Sequence, residues 1–151
     1  MAVERYRREL TRAMEEEILS GVMEKEGFAE SYRFYSIHTY SATGIETGYL
    51  KSFFKIIRVL PPFSNNFVEK ERFVRLGDIK VEKAFRRQGL ATKMIGEMER
   101  VARNFRASRI EGQITPGDRW LNPWLPEMYR KLGFRVEEAR GAWPIIKPLE
   151  E

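Results

Sequence analysis

The decisive stretch of the sequence reads LGDIKVEKAFRRQGLATKMIGEMERVARNF, from Leu76 to Phe105. Its first residues end a segment, Phe73 to Val81, that we interpret as a strand. After Gly89, apolar residues recur every three or four positions, which predicts an amphipathic helix. These residues are Leu90, Met94, Met98, Val101, Ala102 and Phe105. A strand therefore leads through a basic loop into the best-defined helix of the chain.

The loop before this helix has the features of a phosphate cradle. A glycine at its close, Gly89, leaves backbone N–H groups available at a helix N-terminus, where the helix dipole is positive. Gly89 and Ala91 let a ligand approach the backbone closely, and Arg86 and Arg87 add positive charge. The loop therefore predicts a pyrophosphate site, and the alternative is an ordinary basic turn between a strand and a helix.

Length and composition limit the class of protein. The 151 residues predict one globular domain, residues 1–151, with a formal net charge of +5. The absence of cysteine excludes disulfides and thiolate nucleophiles, and a single histidine, His38, excludes a metal cage of several imidazoles. No apolar run has the roughly 18 residues of a membrane span, so we expect a cytoplasmic protein without a membrane partner.

Positive charge is concentrated in the middle of the chain. Between Arg72 and Arg109 there are eleven bases and four acids, a local net charge of +7. Such a segment suggests a polyanionic ligand, either nucleic acid or a phosphorylated small molecule. The alternative is a solvated helix face.

The remaining pattern predicts an α/β (α+β) layer architecture. A stripe of apolar residues predicts an N-terminal helix over Met1 to Glu26, and the turn residues Pro-Gly-Asp follow a strand that ends at Thr115. The other predicted elements are strands at Ser31 to Tyr40, Thr47 to Val59 and Arg109 to Thr115, a short helix at Pro126 to Leu132, and last strands at Phe134 to Ala139 and Ala142 to Lys147.

A second motif lies about forty residues after the loop. Asn122 stands seven residues before Tyr129, on the predicted short helix that ends in Gly133 and Phe134. Together, the two motifs resemble those of the GNAT family of N-acetyltransferases. The family's Arg/Gln-x-x-Gly-x-Gly/Ala pattern is met by Arg86, Gly89 and Ala91, and its Tyr-x-Lys-x-Gly-Phe pattern is met by Tyr129, Lys131, Gly133 and Phe134.

The resemblance implies the GNAT acyl-CoA N-acyltransferase fold, a mixed central sheet flanked by helices and splayed at the cofactor site. It also implies acetyl-CoA as co-substrate and no metal. The backbone of Ile79, Lys80 and Val81 would pair with the pantetheine arm, and Asn122 would contact the same arm. The pyrophosphate would be held by Arg86, Arg87, Gln88, Gly89, Leu90, Ala91 and Thr92.

The chemistry implied by the resemblance is transfer of an acetyl group to a primary amine, by direct attack through a tetrahedral intermediate. The backbone N–H of Val81 would meet the negative oxygen, and Tyr129 would face the sulfur and protonate the departing thiolate. Asp78 is the expected base or proton relay, with Glu111 as the other carboxylate. Alternatively, Tyr129 packs in the core and Asp78 has a structural role.

The acceptor is expected to be a small-molecule or protein amine. A basic protein would not attract polyamines from a distance, which favours a protein N-terminus, a lysine or an amine carried on an acidic molecule. A second copy of the chain is a further expected partner, in a homodimer. Two other functions remain open: a basic nucleic-acid binding module, and a catalytically silent GNAT-like protein that binds acetyl-CoA.

Two features depart from the family plan. The family commonly begins with a strand, whereas Met1 to Glu26 here predicts a helix with no strand before it, so the first edge strand is expected to be missing or replaced. The second feature is the long insert from Thr115 to Pro126. Its two tryptophans, Trp120 and Trp124, either line an acceptor pocket or cover the core beneath a loop.

Overall fold

The structure, a computed structural model, describes residues 10–25, 27–86 and 89–149. These residues form a seven-stranded mixed sheet in the order β1-β2-β3-β4-β5-β7-β6, with β4 and β5 parallel and every other pair antiparallel. The strands are β1 (Leu10–Lys25), β2 (Phe28–Tyr40), β3 (Glu46–Val59), β4 (Val68–Val81), β5 (Arg109–Ile114), β6 (Arg135–Val136) and β7 (Trp143–Pro148). The predicted mixed sheet is confirmed.

The three long strands β2, β3 and β4 supply the centre of the core. In a strand, alternate side chains share a face, and Ile37, Leu50 and Val74 of these strands are fully buried. The helix α1 (Leu90–Asn104) belongs to the same core cluster and buries Leu90, Met94, Ile95, Met98 and Ala102. The helical period of the apolar residues after Gly89 therefore predicted the contact face of α1 correctly.

The predicted N-terminal helix is wrong where the structure describes it. Leu10–Lys25 is the edge strand β1, which pairs antiparallel with β2, and the rest of the predicted helix, 1–9 and 26, lies outside the described residues. Backbone pairing with the long edge of β2 outweighs a helical apolar stripe, and a glycine such as Gly21 costs about 1 kcal/mol inside a helix. The register of the pair shifts between Glu16 and Gly21. An edge strand is therefore present, and β2 follows it without an intervening helix.

The insert after β5 is helical rather than a loop. The predicted Pro-Gly-Asp turn is instead the first turn of α2 (Pro116–Leu121), and α3 (Leu125–Lys131) follows closely. A capping box starts α2, since the Thr115 hydroxyl accepts a hydrogen bond from the Asp118 backbone and the Asp118 carboxylate accepts one from the Thr115 backbone. The insert thus holds a fixed shape beside β5.

One lysine joins three elements of the C-terminal half. The Nζ of Lys147 on β7 donates to the Glu99 carboxylate of α1 at 2.8 Å and to the Leu132 carbonyl at the end of α3 at 2.7 Å. The charged side chains of Lys147 and Glu99 are each only 20% exposed. Lys147 therefore fixes α1 and α3 relative to the sheet.

No helix formed by residues 10–25, 27–86 and 89–149 combines the length and the apolar character needed to cross a membrane.

Replacing Lys147 with Met tests this connection. We expect the free energy of unfolding at pH 7 to fall by about 2 kcal/mol, because hydrogen bonds to charged groups contribute about 1.5–3 kcal/mol each and the Glu99 carboxylate loses a partner. Chemical denaturation measures the change. Lys131→Met, at an exposed position on α3, is the control and should have little effect.

The same variant has a distinct pH dependence. Burial raises the pKa of Glu99, but hydrogen bonds from Lys147 and Arg103 outweigh it and hold the pKa below its ordinary 4.5. When the pKa of a carboxylate is lower in the folded state than in the unfolded state, its ionisation stabilises the folded protein at pH values above the unfolded-state pKa. This stabilisation is lost as the pH falls through the folded-state pKa. The original protein should therefore lose stability more steeply below about pH 4.5 than Lys147→Met. Identical acid profiles would contradict this assignment.

Candidate active site

The sheet opens between β4 and β5. The two strands pair only at Val74 with Ile110 and at Arg75 with Glu111, although β4 continues to Val81 and β5 to Ile114. On its other side β4 contains a bulge, because Lys51 pairs with Asp78 and Ser52 with Leu76, which leaves Gly77 as an extra residue. The predicted splay is thus located beyond Arg75, and we call this gap the opening.

A glycine on β5 lies where the strands begin to diverge. A Cβ atom at Gly112 would lie 3.3 Å from both the Cβ and the carbonyl oxygen of Leu76. Any other residue at this position would press against β4. Gly112 therefore lets the strands meet closely before they separate.

The edge of β4 presents backbone groups to the opening. The N–H of Glu82 donates to the Thr47 carbonyl on β3 at 2.8 Å. Successive residues of a strand point their backbone groups to opposite edges, so Val81 and Ile79 direct theirs toward the opening, and Lys80 directs its groups toward β3. The Val81 carbonyl accepts a hydrogen bond from Arg86 Nε at 3.1 Å. The three predicted pantetheine residues therefore divide into two that face the opening and one that does not.

The start of α1 has the features expected of an anion site. Gly89 is the N-cap residue with φ 76°, a left-handed conformation that glycine adopts without strain, and no side chain caps the helix. The first-turn N–H groups, including those of Ala91 and Thr92, lack intrahelical partners, and the helix dipole is positive here. Arg87 and Gln88, also predicted to hold the pyrophosphate, lie outside the described residues.

The second motif is formed by α3 and the turn after it. Tyr129 is 4% exposed, and its ring packs edge-on against Phe134 at 5.3 Å between centroids. Gly133, with φ 92°, turns the chain so that the Phe134 N–H donates to the Tyr129 carbonyl at 2.9 Å. Burial, followed by the nearby charges of Asp118 and Asp78, raises the pKa of Tyr129 well above its ordinary 10.0. Tyr129 therefore remains protonated at neutral pH.

Asn122 carries a buried oxygen without a partner. It is the C-cap residue of α2, and its Oδ1 atom is inaccessible and makes no hydrogen bond within the described part of the chain. A buried polar atom without a hydrogen bond costs about 1–3 kcal/mol. Such an atom beside a cavity indicates a site for a hydrogen-bond donor of a ligand.

Three adjoining cavities connect these groups, and we call them together the slot. The first, a wide chamber of about 600 Å³, is lined by Arg86, Trp124 and the start of α1. A narrow section of about 40 Å³ follows, lined by Ile79–Val81 and Asn122. The last section, about 30 Å³, is lined by Asp78, Asn122 and Tyr129. The slot therefore runs from the predicted phosphate cradle to the predicted catalytic residues.

The two candidate bases have different surroundings. Asp78 is exposed, and its Oδ2 accepts a hydrogen bond from the Tyr49 hydroxyl at 3.1 Å. Glu111 accepts hydrogen bonds from Arg75 at 2.9 Å and Arg109 at 3.1 Å. Burial raises the pKa of Glu111, but these two hydrogen bonds outweigh it and lower the pKa. Only Asp78 of the two lines the slot.

Neither tryptophan of the insert covers the core. Trp120 is 85% exposed, and Trp124 is 42% exposed and lines the wide chamber. The expectation that they cover the core is therefore wrong, because the insert folds as helices rather than as a loop over the sheet.

Several residues of the slot were missed from the sequence. Asp118 and Gln113 lie beside Tyr129, and Phe85 and Met128 line the wide chamber. Only Asp118 had a sequence signal, since Thr-x-x-Asp from Thr115 is a capping-box pattern that would have placed it at a helix start. The other three residues reach the slot through tertiary contacts.

Comparison with known proteins agrees with this arrangement. The sequence model of the acetyltransferase (GNAT) family matches residues 54–134, which is more than half of the chain. The chain belongs to the GNAT acetyltransferase family. The GNAT match runs from β3 to Phe134 and so contains the opening, the start of α1 and Tyr129.

Solved structures share the GNAT fold at low sequence identity. NAA60 from Arabidopsis thaliana in complex with acetyl-CoA has a TM-score of 0.58 and 12% identity, covering 77% of this chain and 76% of that protein. An acetyltransferase from Bacillus cereus has a TM-score of 0.56 and 15% sequence identity, with 78% of this chain and 74% of that protein covered. The PaiA N-acetyltransferase from Thermoplasma acidophilum in complex with coenzyme A has a TM-score of 0.53 and 12% sequence identity, with 77% of this chain and 61% of that protein covered. No curated protein sequence matches the chain significantly.

Replacing Asn122 with Leu tests whether the GNAT slot stores an unsatisfied polar group. We expect the free energy of unfolding of the ligand-free protein to rise by about 1 kcal/mol, because a side chain of similar size removes the buried unpaired oxygen. Chemical denaturation measures it, with Asn104→Leu, an exposed position at the end of α1, as control. A loss of 1 kcal/mol or more, by the same scale, would mean that Asn122 is already satisfied.

Proposed function

We propose that the protein is an N-acetyltransferase that transfers the acetyl group of acetyl-CoA to a primary amine, with residues 1–151 as a single domain. The observation that carries this proposal is the slot, which leads from the uncapped start of α1 along the edge of β4 to Tyr129. Acetyl-CoA has an anionic pyrophosphate, a slim arm and a terminal thioester in the same order. The complexes of NAA60 with acetyl-CoA and of PaiA with coenzyme A support the choice of ligand.

The residues along the slot fit the co-substrate. The N–H groups at the start of α1, from Gly89 to Thr92, together with Arg86, suit the pyrophosphate. Ile79 and Val81 offer backbone groups to the amides of the arm, and Asn122 offers its buried oxygen to a donor. When bound, acetyl-CoA supplies an acetyl group activated as a thioester.

The backbone of Val81 has a role in charge stabilisation. Its N–H points into the opening, as the hydrogen bond of the next residue, Glu82, to β3 requires. In our proposal this N–H meets the negative charge that develops on the acetyl oxygen as the amine attacks. A fixed backbone donor does not need to reorganise during the reaction.

Tyr129 is the proposed acid. Its raised pKa keeps the hydroxyl protonated over the whole neutral range, so it can hand a proton to the leaving sulfur. Its ring is held by Phe134, and its side chain is only 4% exposed.

Asp78 is the proposed base or proton relay. A lysine-type amine has a pKa of about 10.4, so it must lose a proton before it attacks. Asp78 lies at the same section of the slot as Tyr129, and the Tyr49 hydroxyl orients its carboxylate. Glu111 is less suitable, because Arg75 and Arg109 hold it as an ion-paired carboxylate.

Five arginines of the basic middle segment form ion pairs with glutamates, which argues against the nucleic-acid alternative. Arg72, Arg75 and Arg109 pair with glutamates of the sheet, and the helix α1 contains further pairs. Those pairs are Arg100 with Glu97 and Arg103 with Glu99. Glu69, Glu71 and Glu111, which lie outside the segment, offset three of its seven net positive charges, and Lys83 and Arg86 of the remaining bases line the slot.

The acceptor remains a small-molecule or protein amine. The net charge of +5 disfavours polyamines at long range and favours an amine on a neutral or acidic molecule. A homodimer and a cytoplasmic location stay predictions.

Thermal unfolding with and without acetyl-CoA tests the proposal. We expect the midpoint to rise by several degrees at about 100 times the dissociation constant, since this adds roughly 2.7 kcal/mol. ATP, which carries phosphates without the arm, should have little effect. Asn122→Leu should reduce the shift, and no shift at millimolar acetyl-CoA would overturn the function.

Tyr129→Phe should lower kcat about 100-fold and leave KM for acetyl-CoA nearly unchanged, because the ring is kept and only the hydroxyl that donates the proton is removed. Steady-state kinetics at several pH values measures this. Since burial raises the Tyr129 pKa, the original protein should show no loss of activity from tyrosine ionisation up to about pH 10. An alkaline fall in activity that disappears in Tyr129→Phe would contradict the raised pKa.

Asp78→Asn should lower kcat/KM and change the pH-rate profile, because the amine then loses its proton without help. Glu82→Gln is the matched control, since Glu82 is an exposed carboxylate four residues away, paired with Lys80. If Asp78→Asn leaves the profile untouched, Asp78 is not the base.

A further inference from the structure

The two ends of the slot carry opposite charge. Lys83 and Arg86 line the wide chamber, where the proposed pyrophosphate site lies. The last section, of about 30 Å³, is lined instead by the carboxylates of Asp78 and Asp118, and none of the described residues that line it is basic. The positive net charge of the chain is therefore reversed locally at the end of the slot where the acetyl group would be transferred.

Both carboxylates of this section have an oxygen to offer to a ligand. Neither carboxylate forms an ion pair within the part of the chain that the structure describes. Asp78 accepts one hydrogen bond through Oδ2, from the Tyr49 hydroxyl at 3.1 Å. Asp118 likewise accepts one through Oδ2, from the Thr115 backbone N–H at 3.2 Å. The Oδ1 atom of each carboxylate thus has no hydrogen-bond partner among the described residues.

Tyr129 supplies a third polar group to the same section. Its side chain is 4% exposed, and its hydroxyl makes no hydrogen bond to any described residue. Burial, followed by the charges of Asp118 and Asp78, raises the pKa of this hydroxyl, so both carboxylates act on it. A buried polar group without a partner indicates a site for a ligand. Two carboxylates and one phenol therefore border a single small site.

We propose that Asp118 is a specificity-determining residue that selects a primary alkylammonium group as the acceptor, an inference that rests on the proposed function. A primary ammonium group carries three N–H donors, and Asp118, Asp78 and the Tyr129 hydroxyl offer it three acceptor oxygens. Asp118 holds the cation while Asp78 takes one proton from it, which frees the nitrogen lone pair for attack. The acceptor class is thus an aliphatic primary amine, which is protonated at neutral pH, rather than an aromatic amine, which is not.

The acceptor has its own entrance to this site. Asp78 and Gln113, on the two strands that border the opening, line the last section and are exposed. The section is therefore open to solvent at the end of the slot away from the chamber. The net charge of +5 acts on an approaching molecule at long range, whereas the two carboxylates act on its ammonium group in contact.

Titration with n-butylammonium chloride, with n-butanol as the neutral probe, tests the inference. The titrations use the ligand-free protein and its complex with coenzyme A, and the backbone N–H signals of Asp78 and Asp118 in NMR spectra report binding. We expect millimolar binding of the ammonium, and binding about fivefold weaker in Asp118→Asn, the scale of one ion pair at a protein surface. Glu82→Gln removes an exposed carboxylate that does not line the section and should bind the ammonium normally.

The capping role of Asp118 has a separate control. Asparagine keeps a side-chain oxygen for the Thr115 N–H, so Asp118→Asn should remain folded, as circular dichroism checks. Thr115→Val removes the other hydrogen bond of the capping box and keeps both carboxylates, so it should bind n-butylammonium normally. Equal weakening in Thr115→Val and Asp118→Asn would mean that Asp118 acts only through α2, and would overturn the inference.

The outcomes separate this inference from the proposed function. If n-butylammonium binds no better than n-butanol, or binds equally to Asp118→Asn and Glu82→Gln, the inference fails, and binding of acetyl-CoA leaves the proposed function standing. If acetyl-CoA does not bind to the original protein, the proposed function fails and the inference fails with it.

Discussion

The separation of β4 from β5 beyond Arg75 and Glu111 is the constraint on which the site depends. Two paired positions hold the strands together, and the bulge at Gly77 and the close approach at Gly112 set where they part. Beyond that point β4 has an edge whose backbone groups at Ile79 and Val81 face a cavity instead of a neighbouring strand. A ligand that hydrogen-bonds like a strand can therefore bind there, which is the physical basis of the proposed pantetheine contact.

The elements around the opening are held by charged and packed contacts at its borders. Lys147 links α1, α3 and β7, so the helix that offers the anion site and the helix that carries Tyr129 keep a fixed separation. On the sheet, Glu111 and Arg75 form an ion pair at the last paired position of β4 and β5. These ion pairs of the basic segment support the architecture, while the uncapped start of α1 remains available for an anion.

Local sequence patterns predicted those parts of the site that depend on residues close together in the sequence. The apolar stripe after Gly89 predicted α1, and the pattern that ends in Gly133 and Phe134 predicted the short helix that carries Tyr129. The strand β1 was missed because its pairing with β2 is a non-local contact that an apolar spacing of three and four cannot reveal. The bulge at Gly77 and the place of Trp124 at the wide chamber also arise from tertiary contacts.

Acceptor-dependent release of the coenzyme A thiol tests the central claim most directly. The purified protein is mixed with acetyl-CoA and a panel of amines that includes peptides with free N-termini, lysine-containing peptides, amines on acidic small molecules, and polyamines. The account predicts thiol release with at least one primary amine, and formation of one acetylated amine per thiol by mass spectrometry. Tight binding of acetyl-CoA without thiol release for any amine would contradict it and leave a binding protein that does not transfer the acetyl group.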